Sequence, residues 1–136
     1  MYNDIKQKIY NHLISNTGNK VAILWSGGPY SSLVWFLAKK HLNLDLPIIF
    51  IDTGDLPPSL YAHIVKTQRD HGLNVEIIQG NLQKVISDQK KRYDVLFAGR
   101  PIDGAVCVVP ESPDTWNFIK SLSLPMFGGV KKGILG

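Results

Sequence analysis

The chain is 136 residues long, 44% hydrophobic and 19% charged, which is the composition of one globular domain and excludes two full domains or wholesale disorder. Its net charge of +4 is mild, suiting a phosphate-bearing ligand or a polyanion without by itself arguing for nucleic acid. A single cysteine, Cys107, excludes an internal disulfide, a cysteine-based zinc site and an iron–sulfur cluster held by this chain alone.

Ile5, Ile9, Tyr10, Leu13 and Ile14 recur at helical spacing and predict a helix over Asp4–Ile14, inside an N-terminal segment 1–18 that Asn16-Thr17-Gly18-Asn19 brings to a stop. Val21–Trp25 is a short continuous apolar run, as in a strand buried on both faces. Ser26-Gly27-Gly28-Pro29 interrupts it. Leu33, Val34, Phe36 and Leu37 then resume helical spacing as far as Lys39-Lys40-His41, cations suited to a helix C-terminus. Pro47–Ile51 reads as a second strand, Asp52–Pro58 as a turn, and Ser59–Asp70 as a helix entered through prolines and capped by Gly72. Val75–Ile78 is a third strand, Asn81–Lys91 a polar helix or loop, and Val95–Ala98 a fourth strand ending at Gly99-Arg100-Pro101. Val106–Val109 is a short fifth strand. Pro113–Leu122 is a last helix with Trp116, Ile119 and Leu122 on one face, and a glycine-rich tail occupies 127–136.

No apolar run approaches the ~20 residues of a membrane span. The polar start Met1-Tyr2-Asn3-Asp4 lacks the order of a signal peptide, so a cytoplasmic location and no membrane partner are expected. Strands alternating with helices, without a repeat or linker, imply βαβ units. The expected fold is a single α/β domain over 1–136, a three-layer α/β/α arrangement around a mainly parallel sheet of about five strands. Ligands in such sheets bind beyond the carboxyl ends of the strands. The loops after Trp25, Ile51 and Ala98 are therefore the candidate site.

In the first of these loops, two glycines leave no Cβ to block a ligand, and Pro29 fits the first position of a helix. N–H groups around Gly27, Gly28, Tyr30 and Ser31, with hydroxyls of Ser26, Ser31 and Ser32, would form an anion site at the helix N-terminus; the alternative is a plain Gly-Gly turn with a serine cap. Asp52, where a strand leaves the sheet, can bond a ribose hydroxyl or hold hydrated Mg²⁺; alternatively it caps the next helix or makes an Asx-turn with Gly54. Arg100 at a strand end suits bidentate phosphate or sulfate binding, with a surface ion pair, for instance to Asp103, as the alternative. Cys107 lies inside Ala105–Val109 and is expected to be a buried, inert core thiol. His12, His41, His63 and His71 lack ligand spacing, and Lys90-Lys91-Arg92 and Lys131-Lys132 read as solvated surface.

These segments carry a resemblance. Ser26-Gly27-Gly28-x-x-Ser31 resembles the Ser-Gly-Gly-x-Asp-Ser loop of the PP-loop ATP pyrophosphatases, with Tyr30 where that pattern has Asp. Asp52-Thr53-Gly54, Pro58 and Tyr61 fall in register with a signature of the phosphoadenosine phosphosulfate (PAPS) reductase family. Gly99-Arg100 after a strand, Asp114-Thr115-Trp116 in a helix and Leu124-Pro125 follow in that family's order, so the likeness spans about residues 20–127.

The resemblance implies a PP-loop fold, of the adenine nucleotide alpha hydrolase-like type, that binds ATP, adenylyl sulfate or PAPS. Ser26, Gly27, Gly28, Tyr30, Ser31 and Ser32 would lie at the phosphates, Asp52, Thr53 and Gly54 at ribose or metal, and Gly99 and Arg100 at the distal anion. With ATP the expected cofactor is Mg²⁺, for which Asp52 is the one candidate ligand; no catalytic residue is assigned. Sulfonucleotide reduction or attack on an α-phosphate is the implied chemistry. The tail has no cysteine to attack sulfur, and a phenol at position 30 supplies no charge for a metal polyphosphate, so full activity is not expected. The alternative is a non-catalytic module that senses or sequesters a nucleotide or docks on a partner. Nucleic acid is not the expected partner, and a homo-oligomer is compatible with the sequence.

Overall fold

The computed structural model describes residues 2–127; the tail beyond Phe127 lies outside the described residues. Helix α1 (Tyr2–Ser15) buries Ile5, Ile9 and Leu13, three of the residues whose spacing predicted it. Strand β1 (Val21–Leu24) is buried along its whole length, and α2 (Pro29–Phe36) starts with Pro29 in its first turn. A π-helical turn (Leu37–His41) extends α2, closed by a Leu42 N–H to Leu37 carbonyl bond of 3.1 Å. Then come β2 (Ile48–Asp52) and α3 (Pro58–His71), which ends on Gly72 in the left-handed region at φ 62°. After β3 (Val75–Gln79), the segment left as helix or loop is α4 (Leu82–Gln89), because the Asn81 side chain accepts the N–H groups of Gln83 and Lys84 at 3.0 and 3.2 Å. Strand β4 (Val95–Ala98), β5 (Val106–Cys107) and α5 (Pro113–Ser121) complete the order.

The five strands form one all-parallel sheet in the order β3-β2-β1-β4-β5. The chain builds outward from β1 through β2 to β3, then crosses back to place β4 on the other side of β1. The order therefore reverses at β1 and β4, where a crevice opens beyond the strand ends.

The two faces are covered unequally. Ile23, Phe50 and Phe97 pack into the large core with side chains of α1, α2, α3 and α5, including Trp35, Ile64 and Phe118. Ala22, Leu24, Ile49 and Leu96 point to the other face, where Ile86 of α4 joins them in a smaller core. The three layers expected from the sequence are present, with one of them a single eight-residue helix.

Strand β5 departs from expectation. It pairs only through Phe97 with Val106 and Ala98 with Cys107; the Val108 N–H still donates to the Ala98 carbonyl at 3.0 Å, and the side chains of Val108 and Val109 enter the large core. As an edge strand it covers neither of its own faces fully. Val106 is 41% exposed, and Cys107 is half-buried rather than a core thiol. Its Sγ lies 3.5 Å from the Val109 carbonyl, in a cavity shared with Lys8, His12 and Glu111.

Candidate functional site

The loop between β1 and α2 is held from beneath by Trp25. Its buried indole N–H donates to Ser32 Oγ at 2.9 Å, and the Ser32 hydroxyl donates onward to the Gly28 carbonyl at 2.5 Å. This chain satisfies the indole and ties the first turn of α2 to the end of β1. Ser32 is fully buried and its hydroxyl proton is used inside the helix, so it anchors the loop from within.

Above it, Ser31 Oγ accepts the Ser26 N–H at 3.1 Å and lies 3.1 Å from Ser26 Oγ, while Gly28 N–H donates to Ser26 Oγ at 3.3 Å. The helix cap is Gly28, in extended backbone, not a serine. Gly27 sits at φ 87°, and a Cβ there would meet Leu60 Cδ1 of α3 at 2.8 Å. Its backbone angle therefore favours glycine, and a side chain there would also have to displace the end of Leu60. The Gly27 carbonyl accepts the Phe127 N–H at 2.8 Å, and the Phe127 ring stands 6.0 Å from that of His63. Burial pushes the His63 imidazole below its ordinary pKa, and its Nε2 is buried without a partner among the described residues.

The loop after β4 reaches the same place. Gly99 passes so close to the first turn of α2 that a Cβ would overlap the Ser31 backbone nitrogen and the Tyr30 carbonyl carbon. That contact aims Arg100 across the loop, with its guanidinium carbon 4.2 Å from the centre of the Tyr30 ring. Among the described residues Arg100 forms no ion pair, and Asp103 is not its partner.

After β2, Asp52 makes the Asx-turn weighed from the sequence: its Oδ1 accepts the Gly54 N–H at 2.9 Å, with Gly54 at φ 92°. It does not cap α3, where Pro57 holds that position. The Tyr61 hydroxyl donates to the same Oδ1. That bond, then the one from Gly54, holds the Asp52 carboxyl below its ordinary pKa, and the Asp52 carboxylate in turn pushes the Tyr61 phenol up to about 12. Thr53 donates to Asp55 Oδ1 at 2.5 Å.

A cavity of about 230 Å³ opens at the reversal of strand order. Ser26, Ser31, Gly99 and Arg100 line it, so the structure brings four of the predicted site residues together. Gly27, Gly28, Tyr30, Ser32, Asp52, Thr53 and Gly54 are not in its lining. The sequence reading missed the walls themselves: Leu24, Ile49, Ile51, Leu82 and Ile102. Ile51 was legible as the last apolar residue of its strand. Leu82 and Ile102 carried no such signal, since they arrive from α4 and from the loop after β4. Apolar walls with a few polar groups among them are the usual make-up of a small-molecule site. Among the described residues no group of three or more His, Cys, Asp or Glu is placed to hold a metal ion, and no helix is long and apolar enough to cross a membrane.

The family model for the phosphoadenosine phosphosulfate reductase domain matches residues 20–99. No curated protein matches the chain. Among solved structures it is similar to the NH3-dependent NAD synthetase of Campylobacter jejuni subsp. jejuni NCTC 11168, in complex with the nitrate ion. The TM-score there is 0.62 at 14% identity, covering 91% of this chain and 74% of that one. It is also similar to the U34-tRNA thiolase NcsA of Methanococcus maripaludis, with its 4Fe–4S cluster. That match has a TM-score of 0.55 at 19% identity and covers 75% of this chain and 46% of that one. Both neighbours have the PP-loop fold, and at these identities the likeness is one of fold.

Proposed function

The chain belongs to the phosphoadenosine phosphosulfate reductase domain family, and on that premise we propose that it binds an adenine nucleotide, ATP or a sulfonucleotide, in the crevice between the ends of β1 and β4. The observation that carries this reading is the composition of the 230 Å³ cavity: aliphatic walls for a base, with Ser26, Ser31 and Arg100 gathered in the same lining for an anion. The Asp52 loop follows Ile51 at the flank, where a ribose hydroxyl would meet it.

The test is a thermal-shift panel of ATP, AMP, adenylyl sulfate and PAPS on the purified chain. A ligand at 100 times its Kd adds about 2.7 kcal/mol to stability. The expected result is a raised Tm with at least one of the four. No shift with any of them at millimolar concentration overturns the reading.

Cys107 favours a second reading, a module that binds and senses or sequesters a nucleotide without reducing it. The thiol lies on the edge strand, in a cavity with Lys8, His12 and Glu111, and is absent from the lining of the crevice. Reduction of a sulfonucleotide needs a thiolate at the sulfur. ATP turnover to AMP and pyrophosphate would argue for the enzymatic reading.

A further inference from the structure

We propose that the Tyr30–Arg100 pair makes the crevice a metal-independent anion site, in which the Arg100 guanidinium takes the sulfate or phosphate of the bound nucleotide directly and Tyr30 is the residue that positions it. The proposal rests on the nucleotide reading above. Its first observation is the lining of the crevice, which among the described residues contains one charged side chain, Arg100, and no Asp or Glu. Mg²⁺ bound with a nucleotide asks for one or two protein carboxylates beside the phosphate oxygens. Asp52, the candidate by sequence, is absent from that lining, and its Oδ1 is engaged by the Tyr61 hydroxyl and the Gly54 N–H. The lining therefore offers a metal no carboxylate.

The second observation is how Arg100 is held. Its guanidinium carbon lies 4.2 Å above the Tyr30 ring centre, and it has no ion pair among the described residues. A carboxylate partner would occupy two N–H donors and cancel the charge. The face of an aromatic ring attracts the cation while leaving the in-plane N–H donors unoccupied. Tyr30 therefore fixes the direction of Arg100 and leaves both its charge and its hydrogen-bonding edge for an anion. An aspartate at position 30, within reach of the same guanidinium, would compete for them.

Isothermal titration of the full chain with adenylyl sulfate and with ATP, each in EDTA and in excess MgCl2, tests this. Expected for the wild type is binding in EDTA, with affinity changed by no more than about twofold on adding Mg²⁺. Tyr30→Leu, which removes the ring and leaves a smaller apolar side chain, weakens binding about tenfold, whereas Tyr30→Phe, which keeps the ring, binds as the wild type. Tyr30→Asp loses affinity in EDTA and regains part of it in MgCl2. Circular dichroism confirms that each variant is folded. Binding by the wild type that requires Mg²⁺, or wild-type affinity in folded Tyr30→Leu, overturns the proposal and leaves the nucleotide reading standing. No binding of either nucleotide in either buffer overturns both.

Discussion

Tyr61 and Asp52, nine residues apart, share one hydrogen bond that joins the first turn of α3 to the end of β2. The phenol donates, the carboxylate accepts, and the loop Thr53–Pro57 is pinned between them. Asp52 is held below its ordinary carboxylate pKa, so its contribution to stability is present above about pH 4 and is lost as pH falls through the depressed value. Tyr61, pushed up to about 12, contributes in full below the ordinary phenol value of 10.0 and loses that contribution as pH rises through about 12. Tyr61→Phe should therefore lower Tm at neutral pH, with the deficit shrinking on acidification below pH 4. Melting curves across pH check this; a deficit of constant size from pH 2 to 7 would refute the coupling.

Ser32→Ala removes the acceptor of the buried Trp25 indole and the donor to the Gly28 carbonyl. Leaving a buried N–H unsatisfied costs about 1–3 kcal/mol. Urea unfolding should report a loss in that range. A variant as stable as the wild type would mean that the indole has another partner.

Gly99→Ala drives a methyl group against the Ser31 backbone nitrogen, which no rotamer change relieves. Forcing atoms into a packed site costs about 1–3 kcal/mol. The first turn of α2 and the loop carrying Arg100 must then separate, so both stability and nucleotide affinity should fall together. Wild-type values of both would show that the close approach is not maintained in solution.

Cys107 is half-buried on an edge strand, so an aromatic disulfide reagent should titrate it in the folded chain, more slowly than in urea. The same chain should release no sulfite from PAPS with thioredoxin or glutathione supplied, because this thiol is outside the crevice. Sulfite release that disappears in Cys107→Ser would make Cys107 the nucleophile after all.

Much of the molecule was legible in the sequence by itself. Ile5, Ile9 and Leu13 mark a helix, Val21–Trp25 a doubly covered strand that the structure ends at Leu24, and Gly72 a helix end, because side-chain periodicity and glycine or proline geometry act within a few residues. The alternation of such segments determined the α/β class, and parallel strands with crossover helices pointed to the end of the sheet where the candidate crevice opens. Strand order and register are decided by contacts between segments far apart in the chain, and only the tertiary structure supplies them. It alone places Gly99 on the backbone of Ser31, Arg100 over Tyr30 rather than beside Asp103, and Leu60 against Gly27. It also turns Ser32 inward to Trp25 while its neighbour Ser31 faces the crevice. Adjacent serines look alike in a sequence; successive residues on a helix lie about 100° apart, so one can meet the core while the other lines the crevice.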